Sequence, residues 1–131
     1  MAIRIVRLGT PRVSKEGLRL GTVRRPPRGV RKEDYARLDY YDVWLPDLAP
    51  SAELVKLALT EGSDPKQWAT FVRRYRQEMK DPHAQHVLAL LAAMSHRTDF
   101  SVGCYCADES RCHRSILRQI LEEHGAEVAE A

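Results

Sequence analysis

The chain has 131 residues, 44% of them hydrophobic and 30% charged, a balance that excludes a disordered chain and fits one globular domain able to bury roughly two thirds of its unfolded surface. No apolar run approaches the ~20 residues that cross a bilayer, and Met1 to Arg7 interleaves arginine with apolar residues, unlike a signal peptide, so a cytoplasmic location with no membrane partner is expected. A formal charge of +3 and a pI near 8.9 admit an anionic ligand without requiring one.

In chain order, Ile3 to Leu8 reads as a first strand, ended by Gly9-Thr10-Pro11. A second strand is predicted over Leu18 to Val23. It is followed by Arg24-Arg25-Pro26-Pro27-Arg28-Gly29, where two prolines and a glycine forbid regular structure. Tyr40 to Leu45 predicts a third strand, and Pro50-Ser51 opens a helix over Ala52 to Leu59. The next helix is capped by Ser63 or Asp64, with Pro65 in its first turn. Trp68, Phe71, Val72, Tyr75 and Met79 recur at intervals of three and four as one apolar stripe, which reads as core. After Asp81-Pro82 a further helix buries Val87, Leu88, Leu91 and Met94. Phe100 to Cys106 predicts the last strand, and a final helix from about Cys112 to His124 buries Ile116, Leu117, Ile120 and Leu121 before Gly125. Strands mixed with helices that must lie across a sheet predict an α/β fold: a single compact domain over 1–131, with a small, mostly parallel central sheet flanked by helices.

Chemistry concentrates at the last strand-to-helix junction, from Gly103 to Arg114, which holds all three cysteines. An odd number of cysteines without a secretion signal points to thiols, a redox pair or metal ligands rather than a disulfide framework. The carboxyl end of a strand is where open α/β sheets bind ligands. The N–H groups opening the helix, with a fork from Arg111 or Arg114, favour an anion. The same field lowers a thiol pKa, which makes Cys106 or Cys112 a nucleophile or redox thiol with His113 as proton carrier. Phosphatase and rhodanese sites have a similar layout but place five residues between Cys and Arg. Here Cys106 reaches Arg111 after four.

A zinc site of Cys104, Cys106, Cys112 and His113 is the alternative. The spread of Cys-x-Cys along an extended strand counts against it, and so does the absence of Cys-x-x-Cys. We therefore assign no metal ligand and no cofactor. Cys104 is read as a small core residue, and a purely structural His113, bonded inside the core, is the competing reading there. Asp108 and Glu109 read as caps or as groups that orient His113 or Arg114. Arg24 and Arg28 in the proline-stiffened loop are candidate anion ligands. Tyr35, Tyr40, Tyr41 and Trp44 are the few nearby aromatics that could stack on bases, so nucleic acid is the minor partner reading and a small anion the major one.

Three segments together carry a resemblance: Arg24 to Gly29, Leu45-Pro46-Asp47-Leu48-Ala49-Pro50-Ser51, and Asp64-Pro65-Lys66-Gln67-Trp68 with Phe71 and Tyr75. With Cys106, the acidic Asp108 and Glu109, and Cys112-His113-Arg114, they resemble the small bacterial proteins of the domain of unknown function 488 family, including its YeaO-like branch. The likeness covers about residues 18 to 122. The chain departs from the YeaO-like loop at Arg25 and Pro26, where an apolar residue and Trp are usual, and at Val23, where Asp is common. The resemblance implies a compact α/β fold and a pocket shared by the Arg loop and the Cys-His-Arg helix start, and it brings no established activity.

The combined expectation is a pocket for a small phosphate- or nucleotide-like anion. Arg24, Arg28, Arg111 and Arg114 bind the ligand, and Cys106, Cys112 or His113 contributes chemistry. A non-enzymatic nucleic-acid or protein-binding module and a zinc-binding domain are the alternatives. Neither enzymatic status nor oligomeric state follows from these residues.

Overall fold

The computed structural model describes residues 1–61, 65–106 and 112–129. Its sheet has four strands, β1 (Ile3–Arg7), β2 (Leu18–Gly21), β3 (Val43–Trp44) and β4 (Phe100–Cys104), all parallel and in the order β1-β4-β2-β3. Four helices, α1 (Ala52–Glu61), α2 (Pro65–Glu78), α3 (Pro82–Met94) and α4 (His113–Glu123), complete an α/β domain, with short 3-10 turns at Lys32–Asp34 and Pro46–Leu48. Among the described residues, no helix is long and apolar enough to cross a membrane.

The last strand in sequence is central in space. All five residues of β4 are buried, because β1 and β2 pair on either side of it, with Arg7 opposite Cys104 and Gly21 opposite Gly103. Its carboxyl end therefore opens between two neighbours, and whatever follows Cys104 sits at the middle of the sheet edge. Close approach there depends on glycine. A Cβ on Gly103 would lie 2.6 Å from the Val6 carbonyl oxygen, and one on Gly21 would overlap the Tyr41 ring.

Helix periodicity is realised in the core. Phe71, Tyr75 and Met79 of α2 and its following turn are buried, with Trp68 and Val72 packed against them, and α4 buries Ile116, Leu117, Ile120 and Leu121. The Tyr75 hydroxyl donates to the Leu48 carbonyl at 2.7 Å, which ties α2 to the second 3-10 turn and satisfies a polar atom that burial would otherwise penalise. Asp81 caps α3 by accepting from the His83 N–H at 3.0 Å.

Several boundaries differ from expectation. The third strand is two residues long, not Tyr40 to Leu45, because Tyr40 and Tyr41 belong to the turn before it. There Asp39 adopts φ +64°, and the Tyr40 N–H bonds back to the Tyr35 carbonyl. The first and second strands stop at Arg7 and Gly21. The last strand ends at Cys104, two residues early, and α4 starts at His113 with Cys112 in extended conformation before it. The expected caps Ser63 and Asp64, and also Asp108, Glu109 and Arg111, lie outside the described residues.

A polar interior that periodicity does not reveal lies beside β2. Arg19 is 1% exposed and forks onto Glu16, itself buried, at 2.7 and 2.9 Å. It also donates to the Thr10 and Asp39 carbonyls, while Ser101 donates to Glu16 at 2.8 Å. Burial alone would raise the Glu16 pKa, but the bonds from Arg19 and Ser101 hold it below the usual carboxylate range.

Candidate functional site

The chain turns as soon as β4 ends. The Cys106 N–H points back at the Cys104 sulfur, 3.4 Å away, so Cys106 does not continue the strand. Cys112, at the mouth of α4, brings its sulfur to 2.6 Å from that of Cys104. The three sulfurs all lie within 4.8 Å of one another. All three cysteines are free, Cys104 and Cys112 buried and Cys106 exposed.

Two expectations change here. Cys104 is buried as expected, but it belongs to the thiol cluster rather than only to the core. The objection to a metal site also falls: it assumed a Cys-x-Cys pair stretched along a strand, whereas the turn after Cys104 folds that pair together.

The electrostatics single out Cys106. Hydrogen bonds from Cys104 and Cys112 outweigh its partial burial and, with the Arg114 charge adding, hold its thiol well below the ordinary range. Cys104 is pushed the other way by its bonds to Cys106 and Cys112 and by burial. The Cys104 bond would lower Cys112, but the bond to Cys106 and burial together raise it. The lowered thiol is the exposed one, and the two raised thiols are buried.

His113 is enclosed. Its Nε2 lies 2.8 Å from the Thr22 carbonyl, which can only accept, so Nε2 carries the proton. Nδ1 is then a free lone pair, 3.6 Å from the Cys112 sulfur. Burial pushes the His113 pKa down to about 4 despite the Thr22 bond, so the ring is neutral at pH 7. Tyr75 packs edge-on against it with centroids 5.5 Å apart.

Arg114 is 3% exposed and spends one N–H on the Cys106 carbonyl at 2.6 Å, while its Nε, also buried, has no partner among the described residues. Such an atom costs on the order of 1–3 kcal/mol or more when left unpaired.

The Arg loop reaches the cluster through its backbone. Thr22 receives His113, and the Arg25 carbonyl accepts from the Tyr105 hydroxyl at 2.9 Å. Val23, Tyr41, Cys104 and Cys112 pack with Leu8 as one apolar group. Arg24 itself clamps the Pro46, Ala49 and Pro50 carbonyls at 3.0 to 3.3 Å, so at least two of its nitrogens serve the turn before α1. Arg28 is exposed and makes no ion pair with the described residues. Reading along the sequence missed Cys104 and the Thr22 carbonyl. The signal for the first was the Cys-x-Cys spacing at a strand end; a backbone carbonyl leaves none.

No curated protein and no solved structure matches the chain. A family model described as "Active DUF488-N3 subclade" matches residues 3–125. That match takes in the whole sheet, the thiol cluster and the Arg-bearing loop, and on it the chain belongs to the DUF488 family, in its DUF488-N3a branch.

Proposed function

We propose that the protein binds a small anionic molecule at the carboxyl end of β4 and presents the Cys106 thiolate to it as a nucleophile. The observation that carries this reading is the convergence of three sulfurs within 4.8 Å, of which Cys106 alone is exposed. The unpartnered Nε of Arg114 supports an anion next to it, and Arg28 supplies a further cation on the adjoining loop. In this role Cys106 uses its sulfur electron pair to form the bond to the ligand's electrophilic atom, whose leaving group departs with the pair of the broken bond. Cys104 and Cys112 stabilise the thiolate. Neutral His113 positions Cys112 through Nδ1, and Arg24 shapes the loop.

The test is alkylation of Cys106 by iodoacetamide, read by peptide mass, with and without inorganic phosphate. Phosphate is expected to slow labelling about fivefold, and Arg114→Lys or Arg28→Ala to remove most of that protection. Unprotected labelling at about 50 mM phosphate contradicts the anion reading.

The cysteine cluster favours a second reading, a soft or divalent metal held by Cys104, Cys106 and Cys112, with His113 Nδ1 beside them. A nitrogen that faces the ligands while the other donates to a carbonyl is the usual posture of a metal-bound histidine. Metal analysis of protein purified without chelator decides. One equivalent of zinc, lost together in Cys104→Ser and Cys112→Ser, replaces the nucleophile reading with the metal one.

A further inference from the structure

Beside the thiol cluster lies a cleft of about 340 Å³ whose wall includes Pro26, Lys32, Tyr35, Tyr41, Asp42 and Trp44, within the size range of small-molecule sites, which starts near ~300 Å³. The wall is aromatic and fixed. Tyr35 and Tyr41 meet edge-on with centroids 5.2 Å apart. Trp44, 43% exposed, is pinned by its Nε1–H to the Val23 carbonyl at 2.7 Å. An indole held rigidly at the surface offers a flat face at little entropic cost.

Two further observations point to a ligand. Tyr41 is 4% exposed, yet its hydroxyl has no partner among the described residues, an expense that a bound acceptor or donor would remove. The local charge is also uncompensated in one sense. Asp42 is taken up by a two-pronged contact from Arg12 at 2.7 and 3.2 Å, and Glu33 lies 3.8 Å from Arg31, whereas Lys32 has no ion pair among the described residues. The cleft therefore combines flat aromatic surface, one unsatisfied hydroxyl and one free cation.

The cleft is joined to the thiol site on two sides. Pro26 belongs to the loop that carries Arg24 and Arg28, and Tyr41 packs with Cys104 and Cys112. We propose that this cleft receives the planar base of a nucleotide. The base stacks on Trp44 and Tyr35, the Tyr41 hydroxyl bonds to a ring nitrogen or carbonyl, and the phosphate extends to Lys32 and the Arg loop. The inference deepens the anion reading above and rests on it for the phosphate end. It names the substrate class as nucleoside phosphates.

The full chain, labelled with nitrogen-15, can be titrated with AMP, GMP, CMP and UMP while both indole N–H signals are followed. Trp68, on α2 against the core, serves as the internal reference. At least one nucleotide is expected to move the Trp44 signal saturably below about 5 mM and to leave Trp68 in place. By calorimetry, Trp44→Leu should weaken that nucleotide about fivefold or more and Tyr41→Phe about threefold. No movement of Trp44 by any of the four overturns the proposal. So does tighter binding of single-stranded oligonucleotide by more than about tenfold, which would assign the cleft to nucleic acid. The two readings fail separately. Nucleotide binding at Trp44 without phosphate protection of Cys106 retains the cleft and removes the thiol site, and protection without nucleotide binding does the reverse.

Discussion

Two arginines among the described residues are almost fully buried, and the fold treats them differently. Arg19, on β2, has Glu16 and two carbonyls within 2.9 Å, and each of its three guanidinium nitrogens donates to one of them. Arg114, on α4, gives one N–H to the Cys106 carbonyl, while its Nε has no partner among the described residues. A charge that is completely paired by its own chain is a structural element. A charge that is buried and incompletely paired, at the end of a central parallel strand, is poised for something else.

The sharpest way to break this contrast is to remove each charge. Arg19→Met leaves Glu16 buried without its partner and is expected to cost about 3–5 kcal/mol in urea unfolding, whereas Arg114→Met should cost about 1–2 kcal/mol. Equal losses would mean that Arg114 is as structural as Arg19.

The second test uses pH. His113 is held neutral, its pKa lowered to about 4, so between its unfolded value near 6.5 and that lower value the unfolded chain binds a proton that the folded one does not. Stability is then greatest above pH 6.5 and is lost as pH falls toward 4, by about 3 kcal/mol in all. The wild type should show this decline relative to His113→Gln, whose unfolding has no such titration; parallel profiles would place the ring in solvent.

A smaller effect concerns Tyr41, whose phenol burial pushes up to about 12. Tyr41→Phe removes an unpartnered hydroxyl and should leave stability unchanged or raise it by up to about 1 kcal/mol without ligand. A loss of more than about 1 kcal/mol would show that the hydroxyl is satisfied in solution and weaken its assignment to a ligand.

Much of this was legible before the fold. The stripe on α2 and the apolar face of α4 are spaced as helices require, and the junction from Gly103 to Arg114 announces itself by composition. Periodicity does not encode where a strand stops. Cys104 looked like core because alternation along an extended Phe100–Cys106 puts it with Phe100 and Val102. The strand ends two residues sooner, and the turn gathers the sulfurs. No spacing signal marks Glu16 and Arg19 as a buried pair, since their setting depends on Thr10, Asp39 and Ser101, which are brought in by other segments. Tyr41 read as a strand residue, and only the tight approach to Gly21 turns its ring inward.

The central claim is that Cys106 is a thiolate at neutral pH, held by Cys104, Cys112 and Arg114, and its alkylation rate as a function of pH tests that most directly. With iodoacetamide and peptide mapping, Cys106 should react before the two buried cysteines, at a rate nearly constant from pH 8 to pH 5. A rate that falls about tenfold for each unit below the ordinary thiol pKa of ~8.5 would contradict it.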